Sequence, residues 1–265
     1  MKYIFTETQR LKLPSLPMLY FGVACSYFML TGSAQAISSH QPSDHVINFV
    51  KQQTKDGHHI GRGLSSMTTR YPEKADVITK AALTLYPDQY EEVIKGLLKA
   101  EPALVCDVVK AAIDSNVADT SEIVAIAIEA DPAFANEILE TATENDIAEI
   151  SSIVRVTINS GAIDQQSVVD TTLESYPEKL KEILSAAINA VPDSVLTFMK
   201  SALDLFPDET EQVISTTIIT HSSDKHQEIV NFAIDNGADK EIVIKAALES
   251  GVNKEELAKL ASRKD

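Results

Sequence analysis

The chain has 265 residues, with 39 Asp or Glu against 23 Lys or Arg and a formal net charge of −16. That balance argues against nucleic acid as a partner, because phosphate binding needs clustered Lys and Arg. Hydrophobic residues make up 44%, enough to bury a core, while the lack of Trp and a total of only nine Gly disfavour a β-sandwich or a Gly-rich nucleotide fold.

The first 36 residues read as a cleavable signal peptide. Lys2, Arg10 and Lys12 give a basic start, a mostly apolar run follows around Met18–Cys25, and Ser33-Ala34-Gln35-Ala36 is a small-x-small cleavage site. Cutting after Ala36 predicts a periplasmic or secreted product with 20 basic and 38 acidic side chains, a net charge of −18. Two alternatives remain at this stage. One is an uncleaved membrane anchor, since the apolar run is nearly long enough to span. The other is a lipoprotein modified at Cys25, although Gly22 stands where such sites favour Leu. No later segment is apolar enough for a membrane span. After cleavage Cys106 is the sole cysteine, so no internal disulfide can form, and its place in a predicted helix suggests a small packing residue.

Residues 37–70 read as an N-terminal cap. Gln41-Pro42 starts an apolar helix through Val46, Ile47, Phe49 and Val50. The block Asp56–Arg70 holds Gly57, Gly61 and Gly63 in DGHHIGRG and reads as a loop with a short helix. This block has neither the spacing of a P-loop nor a strand before it, so a phosphate cradle is not expected.

Residues 71–265 form a repeat array. Pro42, Pro72, Pro87, Pro102, Pro132, Pro177, Pro192 and Pro207 are all separated by multiples of fifteen. Cutting from Tyr71 in steps of fifteen gives thirteen units, such as YPDQYEEVIKGLLKA and YPEKLKEILSAAINA. Positions eight and nine are an apolar pair, as in Val93-Ile94, Ile153-Val154 and Ile183-Leu184. Positions twelve and thirteen are usually a small residue and an aliphatic one, as in Ala112-Ile113, Ala187-Ile188 and Ala247-Leu248. Apolar residues at i, i+1, i+4 and i+5 make one helical stripe.

Proline suits a first helical position and costs about 3 kcal/mol inside a helix, so a continuous rod is excluded and each unit is one helix of about 11–12 residues plus a short turn. Asn116, Asp146 and Asn236 read as N-caps where Pro is missing, and Gly161 and Gly251 as ends of the preceding helices. Turns this short make neighbours antiparallel. The expected fold is all-α: a right- or left-handed α-solenoid of about thirteen single-helix repeats. Unit eleven slips by one residue, with Ile229-Val230 a place late. The last unit is more charged, as a polar cap should be.

Candidate chemistry is sparse. His40, His45, His58 and His59 with Asp44 or Asp56, and separately His221, Asp224 and His226, match no established metal-ligand spacing, and both groups read as solvated turns. Acid pairs such as Glu91-Glu92 fall on helix starts and outer faces, and no cofactor is expected. Tyr71, Tyr86, Tyr176 and Phe206 recur at the first position of their units. They read as seam residues, or as an interaction edge. The functional expectation is an exported, non-enzymatic scaffold that binds protein partners, basic ones favoured by the charge. The alternative is a glycan or small-ligand binder using the solenoid groove or the aromatic edge.

Overall fold

The computed structural model describes residues 41–55, 60–221, 223–255 and 257. The signal-peptide, anchor and Cys25 readings lie outside these residues, as do His40, Asp56, Gly57, His58 and His59.

Fourteen α-helices are defined among the described residues: α1 Asp44–Gln53, α2 Ile60–Arg70, α3 Ala75–Leu85, α4 Tyr90–Ala100, α5 Val105–Asp114, α6 Thr120–Ala130, α7 Ala135–Asn145, α8 Ile150–Ser160, α9 Gln165–Ser175, α10 Leu180–Ala190, α11 Val195–Leu205, α12 Thr210–Thr220, α13 His226–Asp235 and α14 Lys240–Glu249. From α3 onward every helix except α13 begins at the fifth position of its unit. The proline does not start the α-helix itself. It opens a three-residue 3-10 turn, such as Pro87–Gln89, and the α-helix follows.

The residue before each proline joins two elements. Proline disfavours the α conformation in the residue ahead of it, and Tyr86 accordingly sits at φ −132°, ψ 57°. Its N–H still closes the last turn of α3 by donating to Ala82 O, while its carbonyl accepts from Gln89 N–H in the 3-10 turn. Tyr71, Tyr176 and Phe206 adopt nearly the same conformation.

Of the units without proline, the one from Asp146 keeps the first kind of joint, with a 3-10 turn Ile147–Glu149, and the one from His221 has a 3-10 turn Ser223–Lys225; the others use a second kind. Asn116, Gly161, Gly237 and Gly251 have positive φ, and Asp164 and Asp239 accept backbone N–H bonds as true N-caps of α9 and α14. Gly161 and Gly251 thus end helices as expected. Asn116 and Asn236 also belong to helix ends rather than starts, and Asp146 follows α7 and accepts a bond from Thr120 Oγ1 at 2.6 Å.

The apolar stripe is buried throughout. The pairs at positions eight and nine, from Val93-Ile94 to Val213-Ile214, are essentially inaccessible, as are the small residues at position twelve. Full burial of one such aliphatic side chain contributes about 1.5–3 kcal/mol. The slipped pair Ile229-Val230 is also buried, so α13 shifts its register to keep its stripe inside.

Each helix except α13 packs most extensively on a helix two places along, which sorts the array into an odd row and an even row. Alanine at position twelve (Ala82, Ala112, Ala127, Ala187) lets the axes approach closely. Contact is continuous along the even row. The odd row opens twice: α7 barely touches α9, and α11 barely touches α13.

The Gly-rich block differs from its expected loop. Ile60–Arg70 is a full-length helix in repeat register. α2 and α4 are the most extensively packed pair in the array, because Gly61 and Gly96 face each other: a Cβ built on Gly96 would lie 2.4 Å from Gly61 Cα. These glycines permit backbone contact between the two helices.

Candidate interaction surface

Side chains that bridge a row join residues about two units apart. Lys80 Nζ lies 2.7 Å from Asp114 Oδ2, Lys95 Nζ 2.9 Å from Glu129 Oε2 and 2.8 Å from Glu91 Oε1, and Lys245 Nζ 3.1 Å from Glu211 Oε2. Lys95 and Lys245 are held above the ordinary lysine range by hydrogen bonds to these carboxylates. Exposed pairs of this kind contribute little to stability. They do fix where charge lies on the array. From Ala81 to Asp265 the chain carries 34 acids and 14 bases, whereas residues 37–80 carry six bases and four acids.

The four nominated aromatics do not form one row. Successive helices are antiparallel, so unit starts alternate between the two edges. Tyr86, Tyr176 and Phe206 share one edge and Tyr71 lies on the other. Between Tyr86 and Tyr176 the same edge carries Asn116 and Asp146. Tyr86, Tyr176 and Phe206 are half-buried against the core, and the Tyr86 hydroxyl is 2.7 Å from Thr54 Oγ1. Tyr71 is 37% exposed and meets Phe49 edge to face, with ring centroids 6.3 Å apart. This pair borders a small apolar cleft of about 210 Å³ with Val46, Val77 and Ile78.

Of the histidines, His45 is exposed on α1, and His226 Nε2 lies 3.0 Å from Ile218 O and 3.4 Å from His221 O, tied to the end of α12. Among the described residues no three His, Cys, Asp or Glu side chains converge as a metal site would require. Cys106 is exposed on α5, which corrects its reading as a packing residue: it occupies position six, outside the buried stripe.

The groove between α11 and α13 was not foreseen from the sequence. It has a volume of about 670 Å³, with half-buried Leu196 and Phe232 on its floor and Asp224, Glu228 and Asp235 exposed around it. At one end Lys225 Nζ approaches Asp193 Oδ1 at 3.9 Å. The row is closed one step earlier. There Gln166 of α9 donates from Nε2 to Ser201 Oγ of α11 at 3.2 Å, and the helices pack closely. The equivalent pair in the next step is Leu196 and Phe232. Phe232 stands where the other odd-row helices from α3 onward have Ala, Thr or Ser. The one-residue slip of unit eleven was the only sequence sign of this.

Compared with protein-family models, curated proteins and solved structures, this chain has no match.

Proposed function

We propose that the chain is an exported, non-enzymatic helical-repeat scaffold that binds another protein in the cell envelope or outside the cell. The observation that carries this reading is the division of labour within each unit. Positions eight, nine, twelve and thirteen build the core, and the outward positions are left to vary and carry the acidic excess. A long surface of this kind suits macromolecular binding, and its sign favours basic partners. The polar clusters also have local structural roles: Asp164 and Asp239 cap helices, and His226 ties α13 to α12. A glycan held along a row of rings has less support, because Asn116 and Asp146 interrupt the aromatic edge.

The test has two parts, both in the native host. The mature protein recovered from envelope or medium should begin at Ile37, and crosslinking should capture a recurrent protein neighbour that high salt releases. A chain retained in the cytosol with its first residues intact would overturn export. Crosslinking that yields no recurrent neighbour would overturn the scaffold reading.

A further inference from the structure

We propose that the groove between α11 and α13 is the docking site for a basic amphipathic helix of a partner protein. This inference rests on the scaffold reading and adds a location and a partner chemistry to it.

Three features combine in the groove. First, it has an apolar floor: Leu196 and Phe232 stand where the polar Gln166–Ser201 contact joins the helices one step earlier. Two apolar side chains are therefore left half-exposed at this opening of the odd row. Second, the volume of about 670 Å³ lies in the range of about 300–1,000 Å³ that admits large side chains or small ligands. Third, the rim is negative. Neither Glu228 nor Asp235 takes part in an ion pair among the described residues. They stand seven residues apart on α13, so at 1.5 Å per residue they are about 10 Å apart along its axis.

The complementary ligand follows from that spacing. A helix lying along the groove presents side chains at i, i+3, i+4 and i+7 on one face. Lys or Arg at i and i+7 reach Glu228 and Asp235, and an apolar residue at i+3 or i+4 covers Leu196 and Phe232. Acidic rims speed encounter and fix register, while the apolar contact supplies the anchor. An acidic surface without an apolar floor would bind cations with no preference for their spacing.

The full mature chain is titrated with two fluorescently labelled, alanine-based helical peptides. One carries two lysines seven residues apart with a leucine midway. The other has the same composition with the leucine on the opposite face. The first should bind about tenfold more tightly or better. Glu228→Lys with Asp235→Lys should remove that preference, and so should Phe232→Ser, which restores the residue type found at Ser201. The control is Glu137→Lys with Glu144→Lys on α7. These exposed acids also lie seven apart on an odd-row helix and change the net charge equally, and this variant should keep the preference. Far-UV circular dichroism confirms that each variant remains helical. Equal binding of both peptides, or equal loss in the α7 control, overturns the groove as the site while leaving a general acidic scaffold in place. No binding of either peptide overturns the docking proposal, and the crosslinking experiment then decides the scaffold reading separately.

Discussion

Gly96→Ala sets two opposed effects against each other at the α2–α4 crossing. In a helix interior alanine is favoured over glycine by about 0.8–1.0 kcal/mol. Against that gain, the new Cβ would lie 2.4 Å from Gly61 Cα, 3.2 Å from its carbonyl carbon and 3.3 Å from its oxygen. These are backbone atoms, so no rotamer change relieves the contact. Carbon atoms pack at about 3.5–4.0 Å, so the helices must separate by about 1 Å. Overpacking of this kind costs about 1–3 kcal/mol, and the shift falls on the most extensively packed pair of the array. The difference leaves the clash ahead, and Gly96→Ala should destabilise by up to about 2 kcal/mol. Gly61→Ala is the matched comparison. Its Cβ would lie 3.2 Å from Gly96 Cα and 3.6 Å from Glu92 O, which a movement of a few tenths of an ångström relieves. The propensity gain then survives, and that variant should equal the parent or exceed it by about 0.5 kcal/mol. Urea unfolding followed by far-UV circular dichroism measures both midpoints. If Gly96→Ala proved as stable as Gly61→Ala, the claimed backbone contact would be wrong.

Thr157 is fully buried and its Oγ1 has no hydrogen-bond partner, whereas Thr217 Oγ1 donates to Val213 O at 2.8 Å. Thr157→Val should therefore stabilise by about 1 kcal/mol and Thr217→Val should not, as denaturant midpoints will show. Cys106 should react with a maleimide within minutes in the folded protein, and a thiol that reacts only after denaturation would contradict its exposure. The Tyr90 hydroxyl donates to Glu122 Oε1 at 2.6 Å, and this bond raises the phenol above its ordinary 10.0. A raised pKa means the bond's contribution is present below pH 10.0 and is lost as pH rises through the folded value. Glu122→Gln should let Tyr90 ionise at lower pH, read as the difference between absorbance titrations of each protein and its Tyr90→Phe counterpart.

The repeat was legible because its determinants are local. A proline that stops one helix and opens the next turn acts within five residues, and the buried pair Ile183-Leu184 announces its face by spacing alone. What the sequence hid depends on neighbours two units away. Gly61 and Gly63 look like loop residues until Gly96 is known to lie against α2. Cys106 looks like a packing residue until position six is known to fall outside the stripe. Asn116 and Asn236 are equally good at either end of a helix, and the aspartate three residues on, Asp119 before α6 and Asp239 before α14, takes the start. The groove is the clearest case. Phe232 is unremarkable as one more apolar residue in a helix. It becomes informative once position eleven of one odd helix is known to meet position six of the preceding one, as Ser201 meets Gln166. At that contact Ser201 gives Gln166 a hydrogen-bond acceptor, whereas Phe232 puts an apolar ring beside Leu196. Residue size at position eleven does not by itself decide the gap: the odd row also opens at α7–α9, where that position is Thr171, and the even row stays closed at α4–α6, where it is Ile126. What sets the α11–α13 opening apart is its lining, apolar at the floor and acidic at the rim, and those side chains lie outside the buried stripe, so the fifteen-residue pattern carries no mark of them.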